Sequence, residues 1–196
     1  MTLFIHAFNY SIMKTLKNGN ARIRDTFNGL HISIPSRKVW FVIIAASLWL
    51  MGWVWGLNTA LEISNWQGGL AEADSFILIW LSLWIIGGGG VFISVLWGLF
   101  GKEELFLSKS GREAYFKKSI LGLGLKRRLD KSQISNFRFN EVPFNREFTA
   151  RRGLSVWGWG PGKIKFDYGM KTYSLGLGLD DAEANYLVYL LGDKTN

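Results

Sequence analysis

Two stretches of this chain carry no charge, and both are long enough to decide what must surround them. No charged residue lies between Lys38 and Glu62, where 40–57 reads WFVIIAASLWLMGWVWGL. None lies between Asp74 and Lys102, where 76–100 is nearly continuous in Leu, Ile, Val, Trp, Phe and Gly. A helix rises about 1.5 Å per residue, so about 20 residues cross the roughly 30 Å hydrocarbon core of a bilayer. The first segment is just long enough, and the second has length to spare for tilt. The competing reading is a pair of buried helices in a soluble protein, but globular helices rarely run this far without a charge. The sequence predicts two transmembrane helices, about 40–57 and 76–100.

The flanking charges predict the orientation. Residues 1–38 carry Lys14, Lys17, Arg22, Arg24, Arg37 and Lys38 against one acid, Asp25. The 58–75 loop has Glu62, Glu72 and Asp74 and no basic residue, whereas 17 Lys plus Arg against 11 acids follow the second span. The positive-inside rule then puts both termini in the cytoplasm of a multi-pass protein, expected in the bacterial inner membrane. The opening MTLFIHAFNYSIMK lacks the charge-then-apolar order of a secretory signal. Of ten tryptophans, seven fall in the spans. Trp40, Trp53, Trp55, Trp80 and Trp97 lie near span ends, where an amphipathic indole suits the interface, and Trp49 and Trp84 lie deeper.

Composition removes several chemistries. The chain of 196 residues has no cysteine and two histidines, His6 and His31. That excludes disulfides, thiolate metal sites and a cysteine nucleophile, and leaves little for histidine-based acid–base work. No cofactor and no metal are expected.

From Lys102 onward the pattern is one of short strands and turn signals. The expected strands are 104–109, 113–120, 125–131, 134–142, 154–160, 163–169 and 171–179, with a hairpin connection at Ser110-Gly111-Arg112 and a turn at Tyr168-Gly169-Met170-Lys171. Asp180 reads as an N-cap with Glu183 completing a capping box. The following helix, 181–191, carries the stripe Ala184, Leu187, Val188 and Leu191 and stops at Gly192. Upstream, 21–27 and 30–35 flank Asn28-Gly29 as a hairpin. That hairpin either adds to the C-terminal sheet or stands alone beside the membrane. Residues 3–16 are expected to form an interfacial amphipathic helix.

The resulting fold class is an α+β membrane protein, divided as a cytoplasmic N-terminal segment 1–38, a helical region 39–101 and a cytoplasmic domain 102–196. The stretches NGLHISIPSRKVWF (28–41), GWVWG (52–56), LWGLFGKEELFLS (96–108) and KIKFDYGMKTYSLGLGLDDAEANYLVYLL (163–191) resemble a group of small bacterial membrane proteins with two transmembrane helices and a bacterial pleckstrin-homology-like domain. The resemblance implies a strongly bent β-sheet plugged by the C-terminal helix, and it carries no catalytic signature.

Several residue sets are candidate sites. Gly52 and Gly56 form a GxxxG pair, and Gly87, Gly88, Gly89 and Gly90 lie in mid-span. Such glycines let helices approach closely, either within this chain, against another subunit, or around a kink that lines a pocket. Lys126, Arg127, Arg128 and Lys131 form one basic cluster and Arg151 with Arg152 another, suited to anionic lipid or simply to a solvated face. Nucleic acid is not an expected partner, since the basic excess is small and tethered at a membrane. Gly158, Gly160, Gly162 and Lys163 lack the spacing of a phosphate loop. Trp157 and Trp159 share a face if that segment is a strand, to fill the core or to meet a partner. The two LGLGL repeats, 121–125 and 175–179, suggest bulges or close backbone approach inside strands. Asp167, Asp180 and Asp181 lack the neighbours that catalysis would need.

These features predict a non-enzymatic accessory subunit or assembly factor of a membrane protein complex, with an integral membrane protein or a second copy as partner. The alternative is a sensor of anionic lipid or of a small ligand through the cytoplasmic domain.

Overall fold

The computed structural model describes residues 19–66, 75–141, 157 and 159–195. They form an α+β protein with three α-helices and two antiparallel sheets. The chain divides into two compact units, one of residues 1–37 and 100–196 and the other of residues 38–99. In the first unit the strands are β1 (Arg22–Asp25), β2 (Gly29–Pro35), β3 (Gly101–Ser108), β4 (Glu113–Ile120), β5 (Leu123–Asp130), β6 (Ile134–Phe139), β7 (Ile164–Tyr168) and β8 (Lys171–Leu175). The last element is α3 (Asp181–Thr195). The helical unit contains α1 (Trp40–Trp66) and α2, which ends at the unit boundary (Ser75–Phe100).

Strands β1 to β5 pair in sequence order as one sheet, and β6 to β8 form the other. The N-terminal hairpin therefore belongs to the larger sheet. β2 pairs with β3 from Gly29↔Ser108 to Pro35↔Lys102, although the helical unit separates them in sequence. Alternation decides which face of this sheet is buried. Ile32 and Ile34 of β2, Leu105 and Leu107 of β3, Ala114 and Phe116 of β4 and Leu129 of β5 all face one core. Ile164, Phe166 and Leu175 from the second sheet close that core, together with Ala184, Leu187 and Leu191 of α3. Phe166 sits at its centre, stacked on Phe137 and Tyr173 and edge-on to Phe116.

Several elements differ from expectation. Within 154–160, Trp157 lies in a turn and Trp159 outside any strand, and most of the segment is outside the described residues. The first LGLGL repeat is not a bulged strand. Leu121 and Gly122 both have positive φ, 52° and 87°, and form the two-residue turn joining β4 to β5. Helix α3 continues past Gly192 to Thr195, so that glycine does not end it. Asp180 does cap the helix, its Oδ1 accepting from Glu183 N at 2.6 Å. Glu183 leaves the capping box open and instead accepts from Ala21 N at 2.6 Å, fastening the helix start to the N-terminal segment. Helix α1 outruns its apolar stretch by nine residues, because nothing between Asn58 and Trp66 breaks a helix. The segment 3–16 lies outside the described residues.

The burial pattern locates the stability of the sheet unit. Phe166→Ala should cost about 3–5 kcal/mol by opening a cavity at the aromatic centre. Phe27→Ala, at a loop position 92% exposed, should change stability by no more than about 0.5 kcal/mol. Chemical unfolding of the full chain in detergent, followed by circular dichroism, measures both.

Candidate interaction surfaces

The helical unit separates the glycines that sequence reading grouped. Helices α1 and α2 meet along Ile43, Ala46 and Val95, with Leu50, Val91 and Leu99 beside them. Trp53 of α1 lies against Gly88 of α2, so closely that a Cβ at Gly88 would fall on the indole ring. The same indole donates Nε1–H to the Trp84 carbonyl at 3.2 Å. A polar N–H in apolar surroundings thus has a partner, and the ring fills the notch that glycine leaves. A Cβ at Gly56 would stand 3.8 Å from the Trp84 ring, at ordinary contact distance. Gly52, Gly87, Gly89 and Gly90 have open space where a side chain would be. Internal packing consumes Gly88 and leaves these four facing outward.

The outer surface of this unit is apolar. Trp40–Glu62 and Ser75–Phe100 are long and apolar enough to cross a membrane, and in each only 11% of the most apolar window is buried. A core helix of a soluble protein would be mostly buried. Here Phe41, Leu48, Met51, Trp55, Phe76 and Ile86 stand out from the surface.

The basic cluster also divides. Lys126, Arg127 and Arg128 are exposed on β5, which is an edge strand. Lys126 Nζ sits 4.0 Å from the centre of the Tyr115 ring, and Arg127 leans over Tyr173, donating to its hydroxyl at 3.4 Å. Lys131 lies past the other end of β5, where its Nζ donates to the Ser108 carbonyl. A strand rises about 3.4 Å per residue, so Lys131 stands about 10 Å beyond Arg128 and about 17 Å from Lys126. Arg151 and Arg152 are outside the described residues. Trp157 and Trp159 are 38% and 49% exposed, and their shared strand face is replaced by a turn.

The carboxylates singled out in the sequence do not converge. Asp167 binds Arg138 through two contacts of 2.6 and 3.0 Å and also accepts from Thr172 Oγ1 and Asn136 Nδ2. Hydrogen bonds from Arg138, then Thr172, then Asn136 hold its carboxyl well below the usual carboxylate range. Asp180 is a helix cap, and Asp181 pairs with Lys163 at 2.6 Å. Among the described residues no group of three His, Asp or Glu side chains could hold a metal.

One buried acid was not visible from the sequence pattern. Glu103, only 6% exposed, accepts from Gly176 N at 2.6 Å and pairs with Lys118 at 2.8 Å. It alternates with Leu105 and Leu107 on the core face. A strand expected from residue 104 hid that alternation, and one extended back to Gly101 reveals it. Comparison with known proteins adds no relative: no family model matches the chain, and no curated protein matches it.

Two measurements separate the roles of these groups. Gly88→Ala should lower stability by about 1–3 kcal/mol because Trp53 must move. Gly89→Ala should be neutral, and tryptophan fluorescence during unfolding in mild detergent distinguishes them. Asp167 has a lowered folded pKa, so its contribution is fully present above the unfolded value of about 3.9 and fades as pH falls below it. Thermal unfolding should show Asp167→Asn less stable than the parent at neutral pH. The gap should narrow on acidification below about pH 4.

Proposed function

We propose that this protein is a non-enzymatic, membrane-anchored interaction module, an accessory subunit or assembly factor of a membrane protein complex. In this reading α1 and α2 form a transmembrane hairpin in the bacterial inner membrane, with both termini cytoplasmic. The sheet unit is then a pleckstrin-homology-like cytoplasmic domain. Two antiparallel sheets around one core, with a C-terminal helix packed into it, support that assignment.

The observation that carries the proposal is the outward set Gly52, Gly87, Gly89 and Gly90 on an apolar helical pair that uses Gly88 for its own packing. Between helices in lipid there is little hydrophobic incentive to associate, so close approach at small residues supplies the contact. The partner is therefore another integral membrane helix, from a different protein or a second copy. The structural duties of Asp167, Asp180 and Asp181 agree with a role outside catalysis.

A second reading, binding of anionic lipid by the cytoplasmic domain, is favoured by three consecutive exposed cations, Lys126, Arg127 and Arg128, on an edge strand.

Affinity purification of the tagged protein from its native membrane in mild detergent, with mass spectrometry of what stays bound, tests the first reading. A stoichiometric membrane partner is expected. Leucines at Gly87 and Gly90 together should weaken its retention by about tenfold, a loss of about 1.4 kcal/mol of contact. Recovery of a lone monomer in several mild detergents overturns the proposal.

A further inference from the structure

The β4–β5 hairpin ends in side chains that a water-facing turn has no reason to carry. Leu121, Leu123 and Leu125 are 66%, 82% and 80% exposed. Leu123 and Leu125 point to the core-facing side of the sheet, opposite Ile120 and Lys118. They lie beyond the part of the sheet that the second sheet and α3 cover. Turns are ordinarily polar, and three exposed leucines within five residues form a concentrated apolar tip.

The cations behind this tip are placed with equal economy. Lys117 and Lys126 are directly paired across the two strands, and like charges in that position repel. Glu104 stands across the ladder from Lys117, but among the described residues neither lysine closes an ion pair. Lys126 rests on the Tyr115 ring, and Lys117 donates to the Gly122 carbonyl at 2.9 Å. The neighbouring Lys118, in contrast, is neutralised by Glu103. The Cα atoms of the lysine pair stand three ladder steps behind Ile120↔Leu123, about 10 Å at the rise of a strand. Interfacial elements bury their apolar side about 5–10 Å deep. The leucines at the tip and the Lys126 ammonium, held back over Tyr115, match that profile, whereas the Lys117 ammonium reaches forward to the turn.

The ladder also fixes which end of the sheet carries the tip. Leu123 pairs with Ile120, and Ile120 pairs with Gly101. Gly101 follows Phe100, the last residue of α2, with no intervening loop. If α2 crosses the bilayer, covalent continuity holds Gly101 at the leaflet. Leu123 lies two strand spacings from it, about 10 Å across the sheet.

We propose that the tip of the β4–β5 hairpin docks into the cytoplasmic leaflet, with Leu121, Leu123 and Leu125 in the acyl boundary and Lys126 on anionic headgroups. This inference rests on the transmembrane reading of α1 and α2, and it assigns the membrane contact of the sheet unit to one hairpin. Apolar insertion and headgroup attraction act together in such contacts, and each cation near an anionic leaflet adds to the binding.

The absence of cysteine from the sequence makes the test direct. Leu123→Cys and Leu125→Cys are each spin-labelled in the full chain, reconstituted in phosphatidylcholine bilayers containing a minor fraction of phosphatidylglycerol. Leu121 is left alone because of its left-handed backbone. Met170→Cys, in the fully exposed β7–β8 turn, is the aqueous reference, and Leu83→Cys on α2 reports whether the helix crosses the bilayer. The expected result is that oxygen relaxes the labels at 123 and 125 more than an aqueous nickel chelate does, the reverse of the order at 170. In phosphatidylcholine alone the labels should sit shallower. If the label at 83 lies in hydrocarbon while those at 123 and 125 behave like 170, the hairpin proposal falls and the transmembrane reading stands. Labels shielded from both reagents mean that protein covers the tip, and this also overturns the proposal. An aqueous label at 83 overturns the transmembrane reading on which it rests.

Discussion

The pairing of β2 with β3 is the constraint on which the rest of the structure depends. Seven residues of each strand align in register, yet residues 36–100 lie between them in sequence. An antiparallel pair is usually closed by a short turn, and here the turn is replaced by two apolar helices. The chain must therefore leave the sheet after Pro35 and return to it at Gly101, at neighbouring positions of one ladder. That requirement makes α1 and α2 an out-and-back pair, whatever else determines their packing. It also sets β2 between β1 and β3, so the N-terminal hairpin becomes part of the sheet rather than an appendage.

Polar groups in the sheet unit answer to the same economy. Burying a charge is costly unless it is paired and hydrogen-bonded. Glu103 meets that condition with one oxygen on Lys118 and the other on the Gly176 amide, which ties β3 to the chain following β8. Asp167 meets it at the surface of the second sheet. The register shift in β6 places Asn136 in a left-handed conformation with its side chain on this carboxylate. Both acids organise backbone and neighbours.

Much of this architecture was legible in the sequence. Charge-free runs of that length specify apolar helices directly. The stripe Ala184, Leu187, Val188 and Leu191 gave the buried face of α3, because helical periodicity survives any tertiary arrangement. The strand pattern failed where its signals were ambiguous. In Leu121 to Leu125 the alternation of Leu with Gly fits a bulged strand as well as a turn, and only backbone geometry separates them. Trp157 and Trp159 have the spacing of a strand face, but Gly160, Pro161 and Gly162 follow closely and break the pattern. The glycines were visible as a group, whereas their division into Gly88 and the outward set required knowing where Trp53 lies. That the Lys131 side chain is held by the Ser108 carbonyl, just past the strand carrying Lys126, Arg127 and Arg128, could not be read from their spacing.

The interruption of the sheet also imposes an order on synthesis. The β1–β2 hairpin leaves the ribosome before the helices and β3, with Ile32 and Ile34 as a ready-made apolar face. Its partner strand follows only after 65 more residues, 36–100, have been made. At about 5–20 residues per second that interval lasts several seconds. Throughout it, the β2 edge of the hairpin and its apolar face lack their native cover. The sheet can close only after the helices between its strands have been produced, so the maturation of one unit waits on the emergence of the other.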